Sequence, residues 1–459
     1  MTYRSTNPMT GIVEREFESL SRPQISQAIA KAHASFASWR ATPVTERAAI
    51  LLRVADSYRA RTEELARIIA AEMGKPVGQG MGEVSFVADI YEYYARSGPG
   101  LIADEELNPA RGGGAVVRSS PVGALLGVMP WNYPYYQVAR FAAPNLLLGN
   151  TILLKHASNC PQAALVQEEI FREAGLPDGV YTNLFVDSGD VESIIADPRV
   201  HGVSLTGSER AGMAVAEAAG RALKKYVLEL GGSDPFIVLD VDDLESTIDA
   251  AVSGRMSNAG QACTAAKRFI VVDKHYDAFV EGFTRRVARM TPGDPQDRET
   301  RFGPLSSLAG VTELLELVQD ATDKGAVLHT GGHRIGDYGS FMAATVLTGV
   351  TPDMRAFEEE LFGPVAVIYR VADAREAIDL ANASSFGLGS AVFASDLGAA
   401  RAVADALDVG MVFINENTDS HVDLPFGGTK RSGVGRELGR FGLDEFVNKK
   451  LIRTPASQR

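Results

Sequence analysis

The sequence is poor in cysteine, in positive charge and in long apolar runs, and each shortage excludes a class of protein. Two cysteines among 459 residues cannot form a disulfide framework, which indicates a reducing compartment. The net charge of −13 disfavours nucleic acid and anionic membranes as partners, since both require a basic face. No stretch reaches the ~18 consecutive apolar residues of a membrane span, and the opening MTYRSTNPMTG lacks the apolar run of a signal peptide. We therefore expect a cytoplasmic enzyme.

Histidine is also scarce, and no metal site is expected. The seven histidines are scattered along the chain. His329 and His333 are four residues apart, but Gly331 and Gly332 between them would break a helix.

Length and apolar pattern indicate an α/β enzyme with more than one domain. A chain of 459 residues is too long for a single core. Residues 24–72 have helical periodicity, and residues 111–128 favour strands or a hairpin. From residue 151, helices alternate with short apolar strands, which are TILLK, VHGVSL, KYVLEL and PFIVLD. This alternation predicts a doubly wound parallel sheet, and a similar alternation after residue 263 predicts a second α/β domain.

Cys263 is a candidate nucleophile. It lies in NAGQACTAAKR, where Gly260 and Gln261 favour irregular backbone. A thiolate at this position would be a soft nucleophile for an aldehyde carbon. The structural alternative is a small buried residue, as free cysteines often are.

Glu229 is a candidate general base. It ends an apolar strand in VLELGGSDP, where burial of a carboxylate is costly unless the group is paired. Either it forms an ion pair, or its pKa is raised and it activates water. Gly231 and Gly232 would let a ligand approach the backbone.

Two further segments suit a carbonyl substrate and a phosphate. Asn132 in MPWNYP is either a turn residue or an amide donor to an oxyanion. The segment TGSERAG (206–212) follows a strand and opens a helix, so Ser208 is either an N-cap or part of a phosphate site. The glycines of SGVGRELG have the wrong spacing for a dinucleotide fingerprint, and no strand precedes them.

Together these segments resemble the aldehyde dehydrogenase superfamily, in the family's order and over nearly the whole chain. PWNYP resembles Pro-Trp-Asn-Phe-Pro, LLKHAS the cofactor lysine segment, and LTGSERAG the pyrophosphate loop. LELGGSDP and GQACTAAKR resemble the glutamate and cysteine signatures, and EELFGPV, PFGGTKRSG and GRELG complete the series. The branch that the chain resembles most is that of the succinate-semialdehyde dehydrogenases.

The resemblance implies an aldehyde dehydrogenase-like fold of three parts. These are a Rossmann-type nucleotide-binding domain (1–99 and 122–231), an α/β catalytic domain (232–431) and a small β oligomerisation arm (100–121 and 447–456). Members of the family usually form dimers or dimers of dimers, so a homodimer or homotetramer is expected.

The resemblance also implies a catalytic sequence. Cys263 attacks the aldehyde, and the Asn132 amide and the Cys263 backbone N–H hold the oxyanion. After hydride transfer, Glu229 activates the water that hydrolyses the thioester. Glu437 is implied as a proton-relay partner of Glu229.

The cofactor-binding residues follow from the same motifs. Lys155 is expected at the adenosine ribose, Gly207 and Ser208 at the pyrophosphate, and Glu360 at the nicotinamide ribose. The remaining positions implied for the cofactor are Trp131, Ser158 and Phe362, with Phe362 near the nicotinamide ring.

The residue three after the cofactor lysine predicts the cofactor. NAD-preferring relatives tend to carry a carboxylate there, which accepts from both ribose hydroxyls and repels a 2′-phosphate. Here that residue is Ser158, which leaves room for a phosphate near Lys155. We expect NADP to be preferred, with NAD as a second cofactor.

The substrate is predicted from Arg140. The semialdehyde branch places an arginine at this position, nine residues after Trp131, and a guanidinium can bind a carboxylate bidentately. Ser420 is expected as a second donor; the alternative for Arg140 is a structural ion pair. Some semialdehyde enzymes carry another arginine where Ser257 stands here, so glutarate semialdehyde or other short aliphatic aldehydes are alternative substrates.

Two other functions fit the motifs less well than hydrolytic oxidation of succinate semialdehyde. A coenzyme A-acylating dehydrogenase usually lacks the general-base glutamate, which is present here as Glu229. A non-catalytic structural relative would not need Cys263, Glu229 and Asn132 together. We therefore expect a small-molecule NAD(P)-dependent oxidoreductase.

Overall fold

In the computed structural model, which describes residues 3–455, two large sheets carry most of the strands. The strands are β1 (Tyr3–Thr6), β2 (Val13–Phe17), β3 (Glu105–Leu107), β4 (Gly114–Pro121), β5 (Ala124–Met129), β6 (Thr151–His156), β7 (Tyr181–Asn183), β8 (Val200–Thr206), β9 (Lys225–Glu229), β10 (Pro235–Val238), β11 (Arg268–Val272), β12 (Val327–Thr330), β13 (Thr345–Thr348), β14 (Val365–Val371), β15 (Phe386–Gly387), β16 (Ala391–Phe393), β17 (Phe413–Ile414), β18 (Thr429–Lys430), β19 (Gly433–Val434) and β20 (Val447–Thr454).

Helices cover the large sheets. They are α1 (Arg22–Trp39), α2 (Val44–Ala60), α3 (Thr62–Met73), α4 (Val77–Leu101), α5 (Tyr136–Leu148), α6 (Pro161–Glu173), α7 (Val191–Ala196), α8 (Glu209–Arg221), α9 (Leu244–Met256), α10 (Asp273–Val287), α11 (Leu308–Asp323), α12 (Arg355–Glu358), α13 (Ala374–Asn382), α14 (Leu397–Ala406) and α15 (Gly439–Glu445). Short 3-10 segments span Ser188–Asp190 and Ser257–Gly260. Between residues 3 and 455, no helix is both long enough and apolar enough to cross a membrane.

The first large sheet has the strand order β19-β9-β8-β5-β6-β7. Strands β5 to β9 are parallel, and β19 pairs with β9 in the antiparallel sense. Its central strand β5 is almost wholly buried, because helices cover both faces of a parallel sheet. The strand order reverses between β5 and β8. In such sheets, ligands bind at this switch point, outside the carboxyl ends of the strands.

The second large sheet has the order β12-β13-β14-β11-β10-β16-β17, with β12 alone antiparallel. Apolar side chains of β10, β11 and β14 fill its core. The segment before β11 carries Cys263, and the segment before β14 carries Glu360. Both segments contact loops at the carboxyl ends of the first sheet, so the two sheets meet where the candidate residues lie.

Smaller sheets lie at the periphery. Strands β3, β4 and β20 form an antiparallel sheet, in which β20 pairs along the whole of β4. Strands β1 and β2 form an N-terminal hairpin, and β15 pairs with β18. Leu107, Leu451 and Ile452 are exposed apolar residues of the three-stranded sheet.

The alternation of strands and helices predicted from residue 151 is confirmed, but one segment differs from the expectation. Residues 111–128 form β4 and β5, which belong to different sheets and do not pair, so the hairpin alternative is wrong. The long helix α4 and the N-terminal hairpin were not predicted. The domain boundaries stay a prediction, and of the residues they include, 1, 2 and 456 lie outside the described residues.

Candidate active site

A tight backbone turn sets the position of Cys263, on the loop between α9 and β11. Asn258 and Ala259 have left-handed φ values of 51° and 52°, and Gly260 follows at 73°. Side chains other than glycine adopt this region at a cost, so the turn is strained. Cys263 is left partly exposed on the wall of a cavity of about 320 Å³, whereas Cys160 is buried.

Lys267 holds the Cys263 loop from its buried side. The Lys267 Nζ donates to the carbonyl oxygens of Ala262, Cys263 and Ala265 at 3.0, 2.8 and 3.2 Å. It also lies 3.2 Å from a carboxylate oxygen of Glu360. The loop is therefore wrapped around one ammonium group, which fixes the backbone of the nucleophile.

The surroundings of the Cys263 thiol favour its protonated form. Burial raises its pKa to about 12, although the Arg140 and Lys267 cations act in the opposite direction. Because the thiolate is the reactive form, the thiol must lose its proton before it can attack.

Asn132 lies beside the Cys263 loop, as the sequence prediction requires. It follows β5, and its Nδ2 donates to the Gln261 carbonyl oxygen at 3.2 Å. In return, the Asn258 Nδ2 donates to the Asn132 carbonyl oxygen at 3.1 Å. The buried Asn132 amide is thus fixed against the segment that carries Cys263, where an N–H donor would stabilise a developing oxyanion.

Glu229 is a buried carboxylate without a neutralising contact. It ends β9, and among the described residues neither of its carboxylate oxygens has a hydrogen-bond partner. Burial raises its pKa well above the ordinary value; Arg140 opposes this rise and Glu437 reinforces it. A Cβ atom at Gly427 would lie 2.6 Å from the carboxylate, so this glycine leaves room for it. A carboxylate with a raised pKa is suited to accept a proton.

Arg140 and Glu437 form a buried ion pair. The guanidinium also donates to the Tyr136 hydroxyl at 3.1 Å and to Thr206 Oγ1 at 3.2 Å. Glu437 accepts from Ser204 Oγ at 3.2 Å. The structural alternative for Arg140, an ion pair, is therefore present. The expected proton-relay residue Glu437 is held by Arg140, and its contact with Glu229 stays a prediction.

Two hydroxyl groups lie together at the cavity beside Cys263. The Tyr136 hydroxyl and Ser420 Oγ are 2.8 Å apart, and both residues line the wall. Arg140 does not line the cavity; it lies behind Tyr136. The lining residues are Gly82, Glu83, Phe86, Tyr133, Tyr136, Gln137, Ala262, Cys263, Thr264, Asp419, Ser420 and Phe426.

A larger cleft of about 1580 Å³ lies between the two sheets. The predicted cofactor residues on its wall are Trp131, Ser158, Ser208, Glu360 and Phe362. The Trp131 and Phe362 rings pack edge to face, with centroids 5.7 Å apart. Ser208 caps α8 and accepts from the Ala211 amide at 3.4 Å, so the N-cap alternative is present, and its role in a phosphate site stays a prediction. The first turn of α8 thus lies at the cleft, and the N-terminus of a helix is suited to bind an anion.

Two predicted cofactor residues lie beside this wall rather than on it. Gly207 follows β8, and its amide donates to the Glu229 carbonyl oxygen at 3.0 Å. The Lys155 Nζ donates to the His156 carbonyl oxygen at 3.2 Å, and burial lowers the pKa of Lys155.

Glu360 connects the cleft to the nucleophile. Its Oε1 accepts from the Gly232 amide at 3.1 Å and pairs with Lys267. The same carboxylate lines the cleft where a ribose hydroxyl was expected. Cys263, the Asn132 amide and the Glu360 carboxylate are therefore neighbours beside the large cleft, and their catalytic roles stay predictions. The family model described as Aldehyde dehydrogenase family matches residues 1–452.

This chain belongs to the aldehyde dehydrogenase family.

Similar proteins agree with this assignment. A succinate-semialdehyde dehydrogenase [NADP(+)] of Deinococcus radiodurans is 55% identical over 458 residues, which cover 100% of this chain and 96% of the relative. A protein of Mycobacterium tuberculosis with the name succinate-semialdehyde dehydrogenase [NADP(+)] 1 is 44% identical over 454 residues, or 98% and 99% of the two chains.

A solved structure confirms the predicted fold class. The succinic semialdehyde dehydrogenase from Streptococcus pyogenes, in complex with NADP+, superposes with a TM-score of 0.97 at 42% identity. The match covers 99% of this aldehyde dehydrogenase and 100% of the other chain.

Sequence reasoning missed two residues of the aldehyde dehydrogenase site. Lys267 stands in the cysteine signature, but only the folded loop shows that its ammonium binds three carbonyls. Tyr136 opens α5, and its position four residues before Arg140 was the available signal, because such residues share a helix face. Across residues 3–455, no cluster of histidine, cysteine or carboxylate side chains could hold a metal ion.

Proposed function

We propose that this aldehyde dehydrogenase oxidises succinate semialdehyde to succinate with NADP+. The observation that carries the proposal is the cavity of about 320 Å³, which joins the Cys263 thiol to the paired hydroxyls of Tyr136 and Ser420. A small aldehyde acid requires a nucleophile at one end and hydrogen-bond donors at the other. The names of the similar proteins from Deinococcus and Mycobacterium support the same substrate.

The reaction proceeds through a covalent bond to Cys263. The thiolate adds to the aldehyde carbon, and the oxygen of the resulting thiohemiacetal accepts from the Asn132 amide and the Cys263 backbone N–H. Loss of a hydride leaves a thioester. Water then adds to the thioester carbon while Glu229 takes its proton, and the Cys263 thiolate leaves, which releases the carboxylate product.

The cleft between the sheets fits the cofactor. NADP+, when bound, supplies the acceptor for the hydride. The N-terminus of α8 at Ser208 suits a pyrophosphate, and Ser158 lines the cleft without a carboxylate that would repel a 2′-phosphate. Trp131, Glu360 and Phe362 would flank the nicotinamide half.

Arg140 contributes to recognition of the substrate carboxylate indirectly, through the hydroxyl groups of Tyr136 and Ser420. Its guanidinium donates to the Tyr136 oxygen, and either hydroxyl can be the donor in the bond between Tyr136 and Ser420. When Tyr136 donates to Ser420, the Ser420 proton is free to bind the carboxylate. Direct contact with Arg140, the expectation from sequence, would require the Glu437 ion pair to open. Binding of the substrate carboxylate therefore depends on hydroxyl groups. Glutarate semialdehyde stays the alternative substrate.

A panel of kcat/KM values tests the proposal. Succinate semialdehyde, glutarate semialdehyde and the neutral butanal are compared with NADP+ and NAD+, with and without coenzyme A. We expect a preference for succinate semialdehyde and NADP+, and no dependence on coenzyme A. Ser420→Ala and Tyr136→Phe should each lower kcat/KM for succinate semialdehyde about ten-fold more than for butanal. Equal losses on both aldehydes would show that these hydroxyls do not bind the substrate carboxylate.

We also propose a homodimer or homotetramer in the cytoplasm. Leu107, Leu451 and Ile452 expose apolar surface on the three-stranded sheet, which suits a contact between subunits. The free cysteines suit a reducing compartment. Light scattering after size exclusion tests the assembly, and Leu451→Glu should shift it toward a monomer.

A further inference from the structure

The N-terminal hairpin places a positively charged side chain in the cofactor cleft. In β1, Tyr3 and Ser5 point inward, whereas Arg4 is exposed, as the alternation of a strand requires. The Arg4 amide donates to the Ser158 carbonyl oxygen at 3.0 Å, and both residues line the cleft. Arg4 thus lies next to the residue that leaves room for a 2′-phosphate.

The backbone of Arg4 is fixed by the anchors of the hairpin. The Tyr3 hydroxyl donates to the carbonyl oxygens of His156 and Val186 at 3.2 and 3.0 Å. On the other side of the cleft, the Ser340 amide donates to the Pro8 carbonyl oxygen at 2.8 Å. The hairpin therefore bridges the two halves of the molecule, and Arg4 occupies a set position in the cleft.

The Arg4 guanidinium is also available to bind a ligand. Between residues 3 and 455, it has no hydrogen-bond or ion-pair partner, and Arg4 is an exposed residue of the cleft wall. Lys155, the cation expected at the ribose, is partly engaged with the His156 carbonyl oxygen and lies over the Tyr3 ring. A phosphate monoester carries a charge of about −1.5 to −2 at neutral pH, so the single ammonium group of Lys155 does not neutralise it.

Arg210 also lines the cleft, but it cannot select between the cofactors in the same way. It follows Ser208 by two residues on the first turn of α8. That turn suits the pyrophosphate, which NAD+ and NADP+ share.

We infer that Arg4 binds the 2′-phosphate of NADP+ and contributes to cofactor selection, an inference that rests on the proposed function. A guanidinium can donate two parallel N–H bonds to a phosphate, which a single ammonium group cannot do. Ser158 provides the space and a hydroxyl, and Arg4 provides the fork of donors.

Isothermal titration of NADP+ and NAD+ into the full-length protein tests the inference without turnover. The variants are Arg4→Gln, Arg4→Lys and, as a matched control on the same hairpin, Arg15→Gln; Arg15 lies on β2 and does not line the cleft. Ser158→Glu is the positive control. Arg4→Gln should raise the Kd of NADP+ about ten-fold and leave that of NAD+ nearly unchanged. Arg4→Lys should lose less, and Arg15→Gln should match the wild type.

The outcomes separate the inference from the proposed function. If the wild type binds NAD+ as tightly as NADP+, the proposed cofactor preference is wrong. If the wild type prefers NADP+ and Arg4→Gln keeps that preference, the inference about Arg4 alone is overturned. An equal loss for both cofactors, with an unchanged melting temperature, would also overturn it.

Discussion

Burial favours the protonated forms of two residues at the centre of the site. Burial raises the pKa of both Cys263 and Glu229, and in each case the nearby Arg140 cation opposes the rise. A buried carboxylate without donors binds its proton tightly, so it becomes a stronger base once the proton is lost. The site is therefore built to accept protons, and the rate should be controlled by how many sites have released them.

Glu229→Gln should stop the reaction after acylation. The amide keeps the shape of the side chain but cannot take a proton from water, so a burst of about one reduced cofactor per site should precede near silence. In the wild type, a base with a raised pKa stops working as the pH falls through that pKa, so deacylation should slow as the pH is lowered. Stopped-flow absorbance of the reduced cofactor measures both; linear turnover of the variant at a wild-type rate would contradict the assignment.

Replacement of Cys263 should abolish oxidation while the fold persists. Cys263→Ala removes the nucleophile by a small change of volume. Cys160→Ala is the matched control, because Cys160 is buried and lies outside the cavity beside Cys263. Aldehyde-dependent reduction of NADP+ measures activity, and circular dichroism checks the fold. Substantial oxidation by Cys263→Ala would refute the covalent route.

The sequence indicates the reacting residues better than the residues that hold them. Cys263, Asn132 and Glu229 stand in motifs that a short window can show. The carbonyl contacts of Lys267 depend on a turn with left-handed residues. The hydrogen bond between the Tyr136 and Ser420 hydroxyls joins α5 to a loop far away in the sequence. Such contacts join positions far apart in the chain, so spacing does not reveal them.

At the scale of elements, one ion pair joins α5, β8 and the loop before α15. Arg140 comes from α5, its partner Glu437 precedes α15, and Ser204 and Thr206 of β8 complete the contacts. Removal of one charge would leave the other buried and unpaired.

Arg140→Met should therefore lower stability, by about 3–5 kcal/mol, because the Glu437 carboxylate loses its partner. The double variant Arg140→Met with Glu437→Gln removes both charges of the pair and should recover most of the loss. It should nevertheless fail to discriminate succinate semialdehyde from butanal. Differential scanning fluorimetry and paired kcat/KM measurements follow the two effects. A single variant as stable as the wild type would show that the pair does not join these elements.

A second carboxylate ties β1, α3 and α6 together. Glu72, at the end of α3, accepts from the amides of Gln162 and Ala163 at 2.8 and 3.0 Å and from the Ser5 hydroxyl. Burial raises its pKa to about 7, against these hydrogen bonds. The docking of the hairpin is thereby linked to a group that titrates near neutral pH.

Stability should depend on pH through Glu72. Its folded-state pKa exceeds the unfolded value, so the folded chain binds more protons between the two, and stability should fall as the pH rises toward 7. The difference amounts to roughly 3 kcal/mol at most. Glu72→Gln does not titrate, so the wild-type melting temperature should fall relative to the variant between about pH 5 and 7.5. A constant difference across that range would contradict this reading.

Over the whole molecule, the sequence indicated two α/β regions but not how they meet. Alternating apolar runs locate β6, β8 and β9, because a buried parallel strand must be apolar along its length. The pairing of β19 with β9 has no such signal, since a strand of two residues has no pattern to show. Nor does local sequence show that β4 leaves its neighbour β5 for the three-stranded sheet.

The first large sheet contains a strand from near the C-terminus, since β19 pairs with β9, and this affects how the protein can fold during synthesis. The first large sheet is complete only when Gly433 and Val434 pair beside Glu229, and Arg140 is neutralised only when Glu437 arrives. Most of this protein must therefore be synthesised before the first large sheet can be completed. We expect nascent chains that end before Gly433 to remain sensitive to protease, and chains that end just after α15 to become resistant.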